Sequence, residues 1–292
     1  MLERGLIVTA DDFGAAIEVN EAIEAAHRRG VLDAASLMVG AAAADDAVSR
    51  AKSNPSLRVG LHVVLVDGKP VLPPDKVPTL VDDQGLFRRD MVRAALAMFT
   101  RPDARRQLKA EIIAQFEAYA ATGLPLDHVN AHKHFHLHPT IAAFILEIGR
   151  RHGMRAVRLP IEPQKTLAMV EPRAAHRAQP VVDVWAAIAR ARFRRSGLLA
   201  PDQVFGLRWS GEMTTRRLLG LIRNLPAGLS EIYLHPATRG GFDGAAESYR
   251  YEEEFAALID PEVVFAASTP DLKRGGFTDF SSTPQGDARG NR

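Results

Sequence analysis

Short apolar runs alternate with helical patterns along most of this chain, and that alternation constrains the fold more than any other feature. Residues 6–9, 36–39, 57–65 and 126–131 read as buried strands, as do 155–159, 205–209, 231–234 and 263–267. Helical spacing marks residues 15–29, 43–52, 105–122, 139–151, 214–223 and 251–258, with Gly30, Pro55 and Gly123 as stop signals. Repeated β-then-α units imply a parallel sheet covered by helices. Roughly eight such pairs predict an α/β fold, a distorted TIM-like (β/α) barrel. An open doubly wound sheet is the alternative. Its dinucleotide-binding form is disfavoured, because no G-x-G-x-x-G follows the first strand.

The barrel is expected to be a single domain over residues 1–272, with loop insertions at about 67–104 and 162–202. The first insertion is proline-rich and then apolar through Met91, Val92, Ala94, Leu96, Met98 and Phe99. The second holds the basic cluster Arg190, Arg192, Arg194 and Arg195. Insertions in a barrel commonly shape the pocket, although an apolar helix packed on the barrel and a solvated basic face explain both equally well. Residues 273–292 are rich in Gly, Ser, Thr and charge, and read as a disordered tail. With no cysteine, any metal must be held by His, Asp, Glu or water. A net charge of +2 gives no reason to expect nucleic acid as a partner. Neither a signal peptide nor an apolar stretch long enough to span a bilayer is visible, so a cytoplasmic location is expected.

The polar residues that matter stand at strand ends. Asp11 and Asp12 follow the first strand directly, at the rim where parallel α/β folds carry their active sites. Adjacent carboxylates alternate in direction there, so one can bind a metal while the other takes a proton from bound water. A turn followed by a helix N-cap is the ordinary explanation of such a pair. His62 sits inside the apolar run 59–65, either as a ligand or as a core histidine bonded to backbone. Residues 127–139 hold five of the chain's 10 histidines. On an extended strand His128, Asn130 and His132 share one face, which would point into a barrel. The later histidines fall on the following loop and helix start, so one ion cannot take them all. His235 follows the strand at 231–234 and precedes Pro236, where it can serve as a proton donor. Two histidines and a carboxylate leave open positions on a metal, a set used by hydrolytic zinc sites and by some iron oxygenases. The second carboxylate favours hydrolysis, since water needs a base.

The strings Thr9-Ala10-Asp11-Asp12-Phe13-Gly14, Gly60-Leu61-His62, His132-Lys133-His134-Phe135-His136 and Leu234-His235-Pro236 resemble the motifs of the YdjC-like carbohydrate deacetylases, in the same order. The fuller string over 129–139 is most similar to the hopanoid-biosynthesis-associated HpnK subgroup. Leu234 stands where relatives have cysteine, and Asn130 where they often have Asp. The resemblance implies one divalent metal ion, Zn or Mg, on Asp12, His62 and His132, with Asp11 as base and His235 as acid. It implies removal of acetyl from an N-acetylglucosaminyl group, on a hopanoid glycolipid in the subgroup. Soluble chitooligosaccharide deacetylation and a non-catalytic sugar-binding protein are the alternatives. The expected partners are an N-acetylated sugar or glycolipid, a peripheral contact with the inner membrane and a second copy of the chain in a homodimer.

Overall fold

The computed structural model describes residues 4–90, 100–172 and 180–281. The strands are β1 (Arg4–Phe13), β2 (Ala34–Leu37), β3 (Arg58–Val63), β4 (Val129–Ala131), β5 (Gln203–Phe205), β6 (Gly228–Leu234) and β7 (Lys273–Arg274). The helices are α1 (Ile17–Arg29), α2 (Ala44–Ser53), α3 (Pro102–Ala121), α4 (Pro139–Arg151), α5 (Gln164–Val170), α6 (Pro180–Arg195), α7 (Thr215–Arg223), α8 (Tyr251–Ile259) and α9 (Pro261–Ala267). All strand pairs are parallel, in the order β4-β3-β2-β1-β6-β5. β7 pairs with β1 at Gly5 and Leu6, below the reach of β2. Beyond β4, Val129 bridges Val157, Ala156 bridges Leu199, and the Val204 N–H donates to Ile161 O at 2.9 Å. These links carry the curl of the sheet from β4 round towards β5. The expected distorted α/β barrel is therefore the observed architecture.

Strict alternation along the strands divides the core into two layers. Leu6, Val8, Ala10, Leu37, Val59, Leu61, Val129, Val157, Ile232 and Leu234 belong to the large apolar layer shared with the helices. The alternate positions Ile7, Ala34, Ala156 and Leu229 form a second, small cluster with Phe277. Further along the same faces stand buried polar residues: Thr9 and Asp11, Ser36, His62, His128 and Asn130, Arg158, and Glu231. The barrel interior thus has a small apolar floor and a polar upper part.

Two expectations change. Residues 263–267 form helix α9, not a strand. Asp260 caps it, its side chain accepting from the Glu262 and Val263 N–H groups, and Pro261 opens the first turn. A short apolar run cannot be told from a helix by composition alone, and here Phe265 is 81% exposed. The second change concerns the C-terminal stretch. β7 lies beyond Leu272, Phe277 is fully buried, and residues 277–280 form a 3-10 turn. The folded part thus runs on through Ser281. The expected apolar insertion at 91–99 lies outside the described residues. No helix among the described residues is long and apolar enough to cross a membrane.

Because Phe277 fills the barrel floor, Phe277→Ala should cost about 3–5 kcal/mol, as for other buried Phe truncations. Urea denaturation measures this. A cost below about 1 kcal/mol would mean the floor does not depend on the C-terminal stretch.

Candidate metal centre and active site

β1 does not end in ordinary alternation. Ala10 pairs with Ala35 and Phe13 with Leu37, so β1 has one residue more than β2 between these pairs. This bulge lies at Asp11 and Asp12, and Asp12 takes the left-handed conformation with φ 62°. The expected divergence of the two carboxylates is thereby cancelled, and both reach the mouth of the barrel. β3 supplies His62, directly opposite Asn130 of β4. His132 follows β4 and begins a 3-10 turn, His132–Leu137, in which Lys133 and His134 have φ 52° and 54°.

Asp12, His62 and His132 converge. His62 Nε2 lies 3.4 Å from Asp12 Oδ1. His132 Nδ1 lies 3.3 Å from the same oxygen and 3.4 Å from His62 Nε2. Ligands about 2.0–2.1 Å from a tetrahedral zinc-type ion stand about 3.3–3.4 Å apart. Asp12 Oδ1 is buried and lacks a hydrogen-bond partner, as expected of an oxygen shaped for a cation. Among the described residues this is the group able to hold a metal ion. The donor set, two imidazoles and a carboxylate, suits a borderline divalent ion.

A family model of YdjC-like protein matches residues 5–266. The chain belongs to the YdjC-like family. Relatives named carbohydrate deacetylase include the following three. That of Geobacillus stearothermophilus is 33% identical over 266 residues, covering 90% of this chain and 92% of its own length. That of Thermoanaerobacter pseudethanolicus is 26% identical, with 80% of each chain covered. That of Brevibacillus brevis is 40% identical over 155 residues, 53% of this chain and 59% of the relative. A solved structure from Enterococcus faecalis V583 shares the fold with a TM-score of 0.75, at 22% identity, covering 95% of this chain and 99% of that one.

Beside the Asp12–His62–His132 triad of this YdjC-like protein, Asp11 is fixed by two donors. Arg158 Nη1 donates to Asp11 Oδ2, and Asn130 Nδ2 donates to Oδ1 at 3.2 Å. Burial pushes the Asp11 carboxyl up, but the Arg158 charge, the His62 charge and the Arg158 hydrogen bond hold it far below the carboxylate range. Arg158 is itself wholly buried between Asp11 and Glu231 and lies 4.5 Å from the Tyr233 ring centroid. Burial also raises Asp12, and His132 and His62 more than reverse it.

His235 ends up beside this centre, its ring 5.0 Å from that of Tyr249, and its Nδ1 is buried without a partner. Burial lowers the imidazole, while Asp12 and Asp11 oppose that shift. Its backbone N–H donates to Glu254, whose other oxygen accepts from Met213 N at 2.8 Å. His134 and His136 do not join the triad. His134 Nε2 meets the Tyr233 hydroxyl at 2.8 Å, and His136 Nε2 donates to Arg158 O at 2.9 Å. His138 is the N-cap position of α4.

Arg158, Glu231, Tyr233, Ser36 and Glu254 escaped sequence reading. A signal existed for Arg158 and Glu231: each is a charge at an alternate position of an apolar run, which in a barrel means inward. Glu254 carries no such mark, because it reaches His235 from α8.

Burial raises the Glu254 carboxyl to about 7 from its ordinary 4.5, against the two N–H donors that lower it. Between those values the folded chain keeps a proton that the unfolded chain has lost, so this group's contribution to stability falls as pH rises. The melting temperature of the wild type relative to Glu254→Gln should therefore decline from about pH 5 to about pH 8. A difference that stays flat over that range would return Glu254 to the ordinary carboxylate range.

Proposed function

We propose that this protein is a metal-dependent carbohydrate N-deacetylase that hydrolyses the acetamide of an N-acetylglucosaminyl group. The observation that carries the reading is the Asp12–His62–His132 triad, its atoms 3.3–3.4 Å apart, with a second ionised carboxylate, Asp11, beside it. The names of the relatives support the substrate class. When bound, a divalent ion would supply Lewis-acid activation of water and of the acetyl carbonyl. Arg158 keeps Asp11 ionised, so its oxygens can accept the proton that the attacking water loses. The amide C–N bond breaks only as its nitrogen gains a proton, because an amine anion is a poor leaving group. His235, entering the cycle protonated beside Asp12 and Asp11, supplies that proton, and the proton that Asp11 took from water restores it after the products leave. Acetate and a free amino sugar leave the site.

The ligand and base roles separate by mutation. His62→Ala, His132→Ala and Asp12→Ala should each lose the metal and the activity. Asp11→Asn should retain the metal and lose about 10²–10⁴-fold in kcat. Metal analysis of the purified variants with an acetate-release assay decides. Loss of metal in Asp11→Asn with retention in Asp12→Ala would exchange the two assignments.

For the substrate's remainder, the reading is a hopanoid-type glycolipid. It rests on the string over 129–139 and on exposed apolar side chains within the second insertion, Met169, Val184 and Ile188, which are 59%, 58% and 60% exposed. Apolar contact contributes roughly 25 cal/mol per Å², so a modest patch on an apolar aglycone should raise kcat/KM tenfold or more over diacetylchitobiose. The comparison is made at one detergent concentration. A clear preference for the disaccharide would reject the lipid and leave deacetylation standing.

A further inference from the structure

We propose that Asp127, His128, Ser36 and Asn130 form one directed hydrogen-bond chain through the barrel that sets the tautomer of His62, making them positioning residues for the metal centre. The proposal rests on the reading of His62 as a ligand. The direction of each bond follows from what each group can do. The Asp127 carboxylate only accepts. It takes the N–H of Phe277 at 3.1 Å, the N–H of Thr278 at 2.9 Å and the Thr278 hydroxyl. It also faces His128 Nδ1 at 3.0 Å, which must therefore be the donor. In the neutral ring His128 Nε2 is then the acceptor for the Ser36 hydroxyl, 3.0 Å away. The Ser36 oxygen in turn accepts from Asn130 Nδ2 at 2.9 Å, and the same amide nitrogen reaches Asp11 Oδ1 at 3.2 Å.

Both amide hydrogens of Asn130 are thus committed, and its Oδ1 is left to accept from His62 Nδ1 at 2.7 Å. In its neutral form His62 therefore carries its hydrogen on Nδ1, and the lone pair of Nε2 is turned towards Asp12 and His132. Flipping the amide would set Oδ1 against the Asp11 carboxylate. An Asp at position 130 could donate to neither Asp11 nor Ser36. The chain lies in the interior, with Ser36, His128 and Asn130 fully buried, so solvent cannot replace a missing link.

The fold makes room for this chain. A Cβ at Gly60 would come within 2.5 Å of the His128 ring, so His128 fits only beside glycine. The other face of that ring stacks on Phe277 with centroids 4.2 Å apart. Glycine in the Gly60-Leu61-His62 string thereby acquires a reason of its own: it admits His128, the second member of a chain that ends on His62.

The test uses the full chain and two variants, Ser36→Ala and His128→Phe, the second keeping a ring on Phe277. Nitrogen-correlated NMR of metal-free protein at about pH 9, above the ordinary histidine range, reads the His62 tautomer. Titration with Zn²⁺ alone reads affinity, and acetate release reads kcat and KM. In the wild type His62 should be a single Nδ1–H tautomer. Each variant should show a mixture, bind Zn²⁺ about tenfold more weakly and lose kcat with KM little changed. The double variant should be no worse than the poorer single one, because both break the same chain. An unchanged tautomer with Zn²⁺ affinity within about twofold in Ser36→Ala overturns the proposal, as do additive losses in the double variant. If His128→Phe does not fold, Ser36→Ala decides alone. A wild type that releases no acetate from any sugar rejects deacetylation, while the tautomer and Zn²⁺ arms still judge the chain.

Discussion

Everything at the mouth of the barrel depends on one buried guanidinium. Asp11 and Asp12 are neighbours in sequence and close in space, and each suffers desolvation that would drive a carboxyl neutral. Two adjacent carboxylates, one buried and one half-buried, cannot both stay ionised without compensation. Arg158 supplies it for Asp11, with its second edge on Glu231. The bond is positional as much as electrostatic. His136 holds the Arg158 carbonyl, and Tyr233 lies under the guanidinium. Buried ion pairs are weak evidence for stability, since desolvation offsets much of their attraction. Here the gain is a carboxylate that stays charged next to the carboxylate of the Asp12–His62–His132 triad.

That arrangement is possible because the two faces of the strands do different things. The outward face packs a large apolar layer against the helices and holds the fold together. The inward face has only a small apolar floor of Ile7, Ala34, Ala156, Leu229 and Phe277, and above it the interior is polar. A polar interior of this kind is tolerable only when its groups are paired. The chain through Asp127, His128, Ser36 and Asn130 does this pairing and ends on Asp11 and His62. The support of the site therefore reaches down to the residues that close the barrel floor.

The two layers also explain what was legible in the sequence. Short apolar runs and helices with period 3.6 follow directly from burial, so the barrel could be read from their alternation along the chain. Asp11, Asp12, His62, His132 and His235 could be found because each interrupts or ends an apolar run; the structure draws Asp12, His62 and His132 together, with Asp11 and His235 near enough to interact with them electrostatically. The bulge at Asp11 and Asp12 was hidden, because a change of register is a property of the β1–β2 pair and not of β1 alone. Arg158 was hidden for a different reason. A charge in a strand reads as a solvated position, unless it is already known that the face is the inside of a barrel. Helix α9 passed for a strand because five consecutive apolar residues, 263–267, outweighed the cap signal at Asp260 and Pro261. Glu254 lies on a helix and touches the site only through backbone N–H groups, a contact that no spacing rule records.

Backbone strain completes the site. Among the described residues, the non-glycine positions with positive φ are Asp12, Asp67, Lys133 and His134. They are clustered functionally: Asp12 is in the triad, Lys133 and His134 directly follow His132, and Asp67 is ion-paired to Lys133. Such conformations cost about 1–3 kcal/mol each and persist only where surrounding structure dictates them. The reason for bearing that cost is geometric. A regular strand sends adjacent residues to opposite faces, so it can offer a barrel mouth either Asp11 or Asp12 but not both. A regular continuation of β4 would likewise carry the chain past the mouth instead of folding His134 and His136 back onto Tyr233 and Arg158. The bulge and the left-handed residues break the alternation where the chemistry needs two neighbours on one side. The rigid parallel sheet beneath, regular up to Ala10 and Ala131, holds those departures in place.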